Sequence, residues 1–192
     1  MQCGLGQVDA KICNMATAEH RPRLEVRPAR AEDAPAMREI FNEAFEDGLA
    51  TFQSVARSID EQQKLIAAAE QDPLQTILVG EVRNWVCGLV AIEPHDRRRL
   101  DHVGEVVVFV RRSFRSYGVG RQLMRAAQSE AARLGYRKLI GQILAENSES
   151  VRLCQATGWR VVGQLEQHVL HSGKLRDVVV VEYLVPAGQP VE

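Results

Sequence analysis

The sequence predicts a mixed α/β domain whose sheet is mostly antiparallel, with one central pair of parallel strands and flanking helices. The main observation is the order strand, glycine turn, helix, strand between Gly104 and Ala145. A crossover of this kind makes its two strands parallel and is right-handed. The second observation is that the remaining strand patterns pair most simply as antiparallel additions. The length of 192 residues suits one such domain, since single cores usually span about 100–200 residues.

We divide the chain into one domain with a short extension at each end. Residues 1–23 show little periodicity and are expected to form a flexible N-terminal arm. Residues 24–186 carry the strand and helix patterns, and residues 187–192 are left as a C-terminal tail.

The composition is that of an ordinary globular protein, with 45% hydrophobic and 26% charged residues and a formal net charge of −1. A nucleic-acid binder usually carries a basic excess, so we expect no nucleic-acid partner. No apolar run approaches the ~20 residues of a membrane helix, and the N-terminus lacks the basic head and apolar core of a secretory signal. The four cysteines form no cluster at metal-binding spacing. We therefore expect a cytoplasmic protein with reduced thiols, no membrane partner and no metal.

The first half of the domain begins with a short strand, LEVRPA, which Pro28 ends. An amphipathic helix follows and ends at Gly48, with apolar residues at helical spacing: Met37, Ile40, Phe41, Ala44 and Phe45. The segment Ser58–Glu61 is a capping box that begins a second helix, which runs through Gln71. Two strands, TILVGEV and WVCGLVAIEP, flank Arg83 and Asn84 and are predicted to form a hairpin.

The second half centres on the strand Gly104–Val110, which is apolar except for Glu105, as expected of a strand covered on both faces. The helix after the glycine turn places four apolar residues on one face: Leu123, Ala127, Ala131 and Leu134. A second buried strand, RKLIGQILA, precedes a short helix, ENSESVRLCQATG. The segments WRVVGQLEQHVL and LRDVVVVEYLV are predicted to form a final antiparallel pair.

The glycine turn, SFRSYGVGRQ, places two glycines and two arginines at the beginning of a helix. A helix N-terminus has unpaired N–H groups and a partial positive charge, and glycines let a ligand approach the backbone. Arg115 and Arg121 add charge, so the turn predicts a phosphate site. A P-loop is excluded because Arg121 replaces its lysine, and a dinucleotide fingerprint is excluded because Leu123 replaces its third glycine. A plain strand–helix turn is the alternative.

The ordered set of motifs resembles the GCN5-related N-acetyltransferase (GNAT) superfamily. Arg115, Gly118 and Gly120 occupy the three defining positions of its Arg/Gln-x-x-Gly-x-Gly/Ala turn. The segment NSESVRLCQATGW, which begins at Asn147, resembles its Asn-x-x-Ser/Ala…Gly-Phe segment, and GEVVVFV resembles the Glu-x-x-Val-Tyr-Val strand of phosphinothricin and methionine-sulfone acetyltransferases. The resemblance covers about residues 24–185. It implies an acetyl-CoA-dependent N-acetyltransferase that acts on a small amine, an amino acid or an analogue.

The resemblance also implies a cofactor site. In the family, amides of the glycine turn hold the diphosphate of acetyl-CoA. Amides of the preceding strand polarise the thioester carbonyl at the point where that strand separates from its parallel neighbour. Asn147 is expected to bond the pantetheine arm or to order the loop beside it, with a plain helix N-cap as an equal alternative. The candidate cofactor-binding residues are Val108, Phe109, Val110, Arg115, Ser116, Tyr117, Gly118, Val119, Gly120, Arg121 and Asn147.

Glu105 is the candidate catalytic base, because apolar surroundings favour proton uptake by a carboxylate near neutral pH. The alternative is a strand carboxylate that pairs with an arginine of the charged loop before this strand: Arg97, Arg98 or Arg99. Many superfamily members carry a tyrosine as proton donor where this chain has Cys154. Packing is the simpler interpretation of that thiol, so no dedicated general acid is assigned.

The acceptor side is less defined. Glu43 and Phe52 are candidate substrate-binding residues, although Phe52 is equally well explained as core. Two aromatic positions of the similar subgroup are Leu100 and Leu175 here, so the exact acceptor stays open. A protein N-terminus, an aminoglycoside, or acyl-CoA binding without turnover are the alternatives.

Two further expectations concern the surface. His102, His168 and His171 have no metal-binding spacing and are expected to be solvated or loosely packed. The apolar run DVVVVEYLV is compatible with a homodimer formed through the C-terminal strands, and a core strand within one chain explains it equally well.

Overall fold

The computed structural model describes residues 24–52, 55–95, 100–171 and 173–186. The N-terminal arm and the C-terminal tail lie outside the described residues. So do the three arginines that were the alternative partners of Glu105. The division into arm, domain and tail therefore stays a prediction. None of the helices in these ranges is both long and apolar enough to cross a membrane.

Seven strands and four α-helices make up the described fold. The strands are β1 (Glu25–Pro28), β2 (Thr76–Val82), β3 (Trp85–Pro94), β4 (Val103–Val110), β5 (Lys138–Leu144), β6 (Arg160–His171) and β7 (Lys174–Leu184). The helices are α1 (Ala34–Asp47), α2 (Ile59–Gln71), α3 (Val119–Arg133) and α4 (Ser148–Ala156). Short 3-10 turns precede α1 and follow β4, at Ala31–Asp33 and Arg112–Phe114. Every helix and strand predicted from the sequence is present.

The strands form one sheet in the order β1-β2-β3-β4-β5-β7-β6. All neighbouring pairs are antiparallel except β4 and β5, which are parallel. The predicted mixed sheet with a central parallel pair is therefore confirmed.

The capping box and the hairpin turn that the sequence predicts are both present in the structure. The Glu61 N–H donates to Ser58 Oγ (3.2 Å), and the Ser58 N–H donates to Glu61 Oε2 (2.7 Å), which completes the capping box of α2. Arg83 and Asn84 have φ angles of 50° and 65°, as the tight turn of the β2–β3 hairpin requires.

The sheet is covered on both faces, and successive strand residues alternate between them. One face packs against α1 and α2 and includes Phe109 of β4. The other face packs against α3 and includes Val106 of β4. Glu105 is four residues before Phe109 on the same strand, so its side chain lies on the same face, the one covered by α1. The predicted apolar face of α3 is buried, with Leu123, Ala127 and Ala131 in the core.

The expectation for the three histidines is correct for two of them. His102 and His168 are exposed. His171 is only 5% exposed, and its Nε2 lies 3.0 Å from the carbonyl oxygen of Gly48. The prediction that His171 is loosely packed is wrong, because the β6–β7 hairpin folds back onto the loop after α1.

Candidate active site

The centre of the site is a gap between β4 and β5. Their parallel pairing is confined to Val103–Glu105 on β4 and Lys138–Ile140 on β5. Beyond Glu105, β4 continues to pair with β3 as far as Val110. The two central strands therefore separate just after the candidate base, as the resemblance implied.

The register of β3 and β4 decides which amides of β4 face this gap. The Arg111 N–H donates to the Cys87 carbonyl (2.9 Å), which fixes the phase of the antiparallel ladder. Because N–H groups alternate in direction along such a strand, those of Val108 and Val110 point toward the gap. The Phe109 N–H points toward β3 instead. Two of the three amides expected to polarise a carbonyl thus face the gap, and that of Phe109 does not.

A cleft of about 320 Å³ runs along the gap. It is lined by parts of β3, β4, β5 and α4, by the loop between α1 and α2, and by a few residues of those two helices. Among the residues predicted for the site, the cleft brings together Phe52, Glu105, Val108, Phe109 and Asn147. Its floor on the α1 face is formed by Ala91 and Val107, which lie opposite each other on β3 and β4. A small residue at Ala91 leaves room above the floor.

Glu105 contacts a histidine that sequence reasoning missed. Its Oε1 atom is in hydrogen-bonding contact with His95 Nδ1, and its side chain remains 45% exposed. The register of the β3–β4 hairpin explains the contact, because Glu105 lies opposite Glu93 and diagonal to His95. This diagonal relationship is the sequence signal that could have identified His95, once β3 and β4 are read as antiparallel neighbours.

Glu93 and Arg57 complete the charged part of the cleft. Glu93 lies directly across from Glu105 on β3, so both carboxylates share the α1 face of the sheet. Arg57 lies between α1 and α2 and also lines the cleft. Partial burial lowers the pKa of Arg57, while the negative charges of Glu93 and Glu61 act in the opposite direction.

The glycine turn presents the start of α3 beside the end of β4. Gly118 is the N-cap residue with a φ of 83°, and Ser116 also has a positive φ of 66°. The first hydrogen bond of the helix joins the Gln122 N–H to the Gly118 carbonyl (3.2 Å). The amides of residues 119–121 precede this bond and have no acceptor within the helix. The turn thus has the geometry of an anion site.

The second glycine and the first arginine of the turn serve packing and attachment. A Cβ atom on Gly120 would lie 3.0 Å from Leu153 of α4, so a glycine there lets two helices approach closely. Arg115 donates through Nε to the Val110 carbonyl (3.1 Å) and pairs through Nη1 with Asp47 (2.6 Å). The positive charge expected to face a diphosphate is therefore engaged by the end of α1, where it fixes the turn at the mouth of the gap.

Asn147 is the N-cap residue of α4, as the alternative interpretation predicted, and its side chain also contacts a loop. Its Oδ1 accepts from the Ser150 N–H (3.1 Å), and its Nδ2 donates to the Leu49 carbonyl (3.0 Å). Leu49 belongs to the loop that follows α1, which His171 also contacts. Asn147 therefore joins α4 to this loop at the edge of the cleft.

The two candidate substrate residues have different positions. Phe52 is 37% exposed and lines the cleft, so it is not a core residue. Glu43 is not among the residues that line the cleft. Its carboxylate accepts a hydrogen bond from the Arg112 N–H (2.6 Å) and thereby ties α1 to the turn after β4. A role for Glu43 in substrate binding therefore stays a prediction, and the contact that the structure shows for its carboxylate is with the turn after β4.

Cys154 lines the cleft but is almost fully buried. Burial raises its pKa to about 11, which makes the thiol a weaker proton donor. The packing interpretation of Cys154 is thus supported. In the described ranges, no group of three or more His, Cys, Asp or Glu side chains is placed to hold a metal ion.

Comparison with known proteins identifies relatives over nearly the whole described chain. A family model for the acetyltransferase (GNAT) family matches residues 34–159. The chain is 29% identical to the phosphinothricin N-acetyltransferase of Streptomyces viridochromogenes, over 83% of this chain and 86% of that protein. It is 26% identical to the L-methionine sulfoximine/L-methionine sulfone acetyltransferase of Salmonella typhimurium, over 83% of this chain and 93% of that protein.

Solved structures show the same fold. An acetyltransferase of Salmonella typhimurium, solved with acetyl-CoA, superposes with a TM-score of 0.81 at 22% identity, over 88% of this chain and 98% of that one. A phosphinothricin acetyltransferase of Sinorhizobium meliloti in complex with acetyl-CoA superposes with a TM-score of 0.79 at 21% identity, over 88% and 94% of the two chains.

Proposed function

This chain belongs to the acetyltransferase (GNAT) family, and on that premise we propose that it transfers the acetyl group of acetyl-CoA to an amino group of a small molecule. The acceptor is an amino acid or an amino-acid analogue. The observation that carries the proposal is the gap beyond Glu105, because strand amides and a carboxylate meet there in one cleft. The relatives named for phosphinothricin and for methionine sulfoximine and sulfone support the acceptor class.

The proposed acetyl-CoA site extends from the glycine turn into the gap. The amides of residues 118–121 bind the diphosphate, because a helix N-terminus favours anions. The pantetheine arm then lies between β4 and β5, against residues of α4 that line the cleft. The acetyl carbonyl accepts hydrogen bonds from the N–H groups of Val108 and Val110, which no neighbouring strand engages at that point.

Glu105 is proposed to accept a proton from the acceptor ammonium group, directly or through one water. The Nδ1–H of His95 donates to Glu105 Oε1 and leaves Oε2 to receive the proton. The neutral amine attacks the thioester carbonyl, and the negative charge that develops on the oxygen is stabilised by the two strand amides. The carbon–sulfur bond breaks, the nitrogen releases its remaining extra proton to water, and CoA leaves as a thiolate without a dedicated acid from the chain.

The test is acetyl-CoA-dependent release of free thiol with L-phosphinothricin, L-methionine sulfone, the standard amino acids and an N-terminal peptide as acceptors. Glu105→Gln is expected to lower kcat/KM about 100-fold or more, in the range of a lost general base. Glu32→Gln is the matched control, because Glu32 is 73% exposed and lies outside the cleft. Unchanged turnover in Glu105→Gln at neutral pH contradicts the assignment of the base.

We further propose that the protein forms a homodimer through β6. This strand is the edge of the sheet and is exposed along most of its length, including Val161, Val162 and Leu165. An exposed apolar edge strand favours pairing with another chain. Sedimentation equilibrium is expected to give a dimer mass for the wild type and a monomer mass for Val162→Lys combined with Leu165→Lys. A monomeric wild type overturns the proposal.

The cytoplasmic location and the lack of macromolecular partners stay predictions from the sequence. Cys87 and Cys154 are buried free thiols, which a reducing compartment preserves. Cell fractionation followed by detection of the native protein tests the location.

A further inference from the structure

Arg57 is held rigidly at the wall of the cleft. Its N–H donates to Asn42 Oδ1 (2.9 Å), and Asn42 Nδ2 donates to the Arg57 carbonyl (3.2 Å). The guanidinium carbon lies 4.0 Å from the centroid of the Phe41 ring. Phe41 in turn packs edge-to-face on Phe109 of β4, with ring centroids 5.4 Å apart. Backbone and side chain are therefore both anchored on the α1 face of the sheet.

The hydrogen-bonding edge of this guanidinium is unused. Within the described parts of the chain, the Arg57 side chain has neither a hydrogen bond nor an ion pair. Four other arginines on or near the α1 side all contact carboxylates: Arg27, Arg111, Arg112 and Arg115. The N–H groups of a guanidinium lie at the edge of its plane in a fork that suits a bidentate anion. Partial desolvation of this cation is unfavourable, and a direct hydrogen-bonded contact with an anionic ligand would offset it.

The cleft carries opposite charges on neighbouring elements. Glu93 and Glu105 are paired across β3 and β4, and Arg57 stands over the same face of the sheet. A molecule with an ammonium group and an adjacent carboxylate complements this arrangement. A simple amine leaves Arg57 unpaired, and a polycation is repelled by it.

We propose that Arg57 binds the α-carboxylate of the acceptor and thereby selects α-amino acids against amines that lack a carboxylate. This inference rests on the proposed acetyl transfer. The anion is not the diphosphate of CoA, because residues 115–121 are not among those that line the cleft with Arg57. Arg57 is a binding residue, and Glu105 retains the role of base.

The first test needs no substitution. The wild-type enzyme is given L-methionine sulfone or its α-carboxamide at saturating acetyl-CoA, and kcat/KM is measured for each. The acid is expected to be preferred about 100-fold or more, because a site built to bond a charged group rejects the analogue that lacks it. L-phosphinothricin and its α-carboxamide form a second pair, because the phosphinate is an alternative anion. If the phosphinothricin amide is as good a substrate as its acid, Arg57 does not bind the α-carboxylate.

The second test uses variants. Arg57→Gln is expected to lose about 100-fold in kcat/KM for the acid and to leave the amide unchanged, so that the preference disappears. Arg57→Lys keeps the positive charge but loses the forked pair of N–H donors. Its preference for the acid over the amide is expected to lie between those of the wild type and Arg57→Gln. Arg30→Gln is the matched control, because Arg30 is an exposed arginine paired only at 3.6 Å with Glu32. The KM for acetyl-CoA and the thermal midpoint report on the cofactor site and on folding.

The two possible failures are distinguishable. If no amine in either pair or in the acceptor panel is acetylated, the proposed function fails. If acid and amide are acetylated equally by the wild type, or if Arg57→Gln lowers both by the same factor, the function stands and the role of Arg57 is overturned.

Discussion

At the scale of single residues, the site depends on contacts between side chains from different elements, which local sequence patterns do not reveal. Glu105 could be identified from the sequence because it interrupts an apolar strand. His95 could not be identified in the same way, because it follows β3 in a charged segment, and only the hairpin register brings it to Glu105. Arg57 likewise has no motif, and its position depends on the Asn42 bonds and the Phe41 ring.

His95 is predicted to be a positioning residue for Glu105. His95→Ala is expected to lower kcat about tenfold, the lower end of the effects seen when an outer partner of a site ligand is removed. The KM for acetyl-CoA is expected to stay unchanged, because His95 is remote from the glycine turn. His95→Asn is expected to recover most of the loss, since its Nδ2 can donate from the position of the histidine Nδ1. Steady-state kinetics of both variants decide the matter, and equal losses in both contradict the hydrogen-bond role.

At the scale of elements, the glycine turn and the start of α3 act as one unit. The sequence predicted the anion site because two glycines and a helix start can be read from the residues themselves. The sequence could not show that the two glycines have different roles. The role of Gly120 depends on its close approach to Leu153, which lies on another helix. The attachment of Arg115 to Asp47 depends equally on tertiary packing.

Gly118 and Gly135 form a matched pair for testing the anion site. Both have φ angles above 80°, and a Cβ on either would meet nothing within 4 Å. Alanine at either position is expected to cost about 1 kcal/mol of unfolding free energy, because an L-residue is strained there. Only Gly118→Ala is expected to weaken acetyl-CoA binding, by about tenfold, because it shifts the amides at the start of α3. Calorimetric titration and chemical denaturation measure the two effects, and an equal loss of affinity in Gly135→Ala contradicts the site.

At the scale of the whole molecule, hydrophobic periodicity predicted which segments form helices and which form strands. It could not by itself predict the order of the strands in the sheet. The parallel relation of β4 and β5 followed from one crossover. The insertion of β7 between β5 and β6 depends on which apolar strand best fills the centre of the sheet, and the last two strands alone do not specify it. The point at which β4 and β5 separate was available only from the family resemblance, because no residue pattern marks it.

The first strand is joined to the rest of the molecule by a charged cluster that predicts acid sensitivity. Arg27 of β1 donates to Asp33 before α1 (2.7 Å) and to Glu81 of β2 (2.8 Å). Burial tends to raise the pKa of Asp33, but the bonds from Arg27 and the Arg30 amide outweigh it and lower the pKa. An acid with a lowered pKa stabilises the fold above its unfolded value, about 3.9, and this stabilisation is lost as the pH falls through the folded value.

Asp33→Asn is therefore expected to destabilise the protein by about 2 kcal/mol at pH 7, less than a fully broken buried pair because Glu81 still contacts Arg27. The difference from the wild type is expected to shrink as the pH falls below the folded pKa of Asp33. Thermal or urea unfolding of both proteins across this range measures it. A difference that stays constant with pH rules out ionisation of Asp33 as its source.

The most direct measurement of the central claim is a crystal structure of the protein with acetyl-CoA bound. We expect the diphosphate oxygens within about 3.2 Å of backbone nitrogens among residues 118–121, and the thioester oxygen within the same distance of the Val108 nitrogen. The Glu105 carboxylate is expected to face the acetyl carbon across the space left for the acceptor. A ligand bound outside the gap between β4 and β5, or a Glu105 side chain directed away from the thioester, contradicts the account.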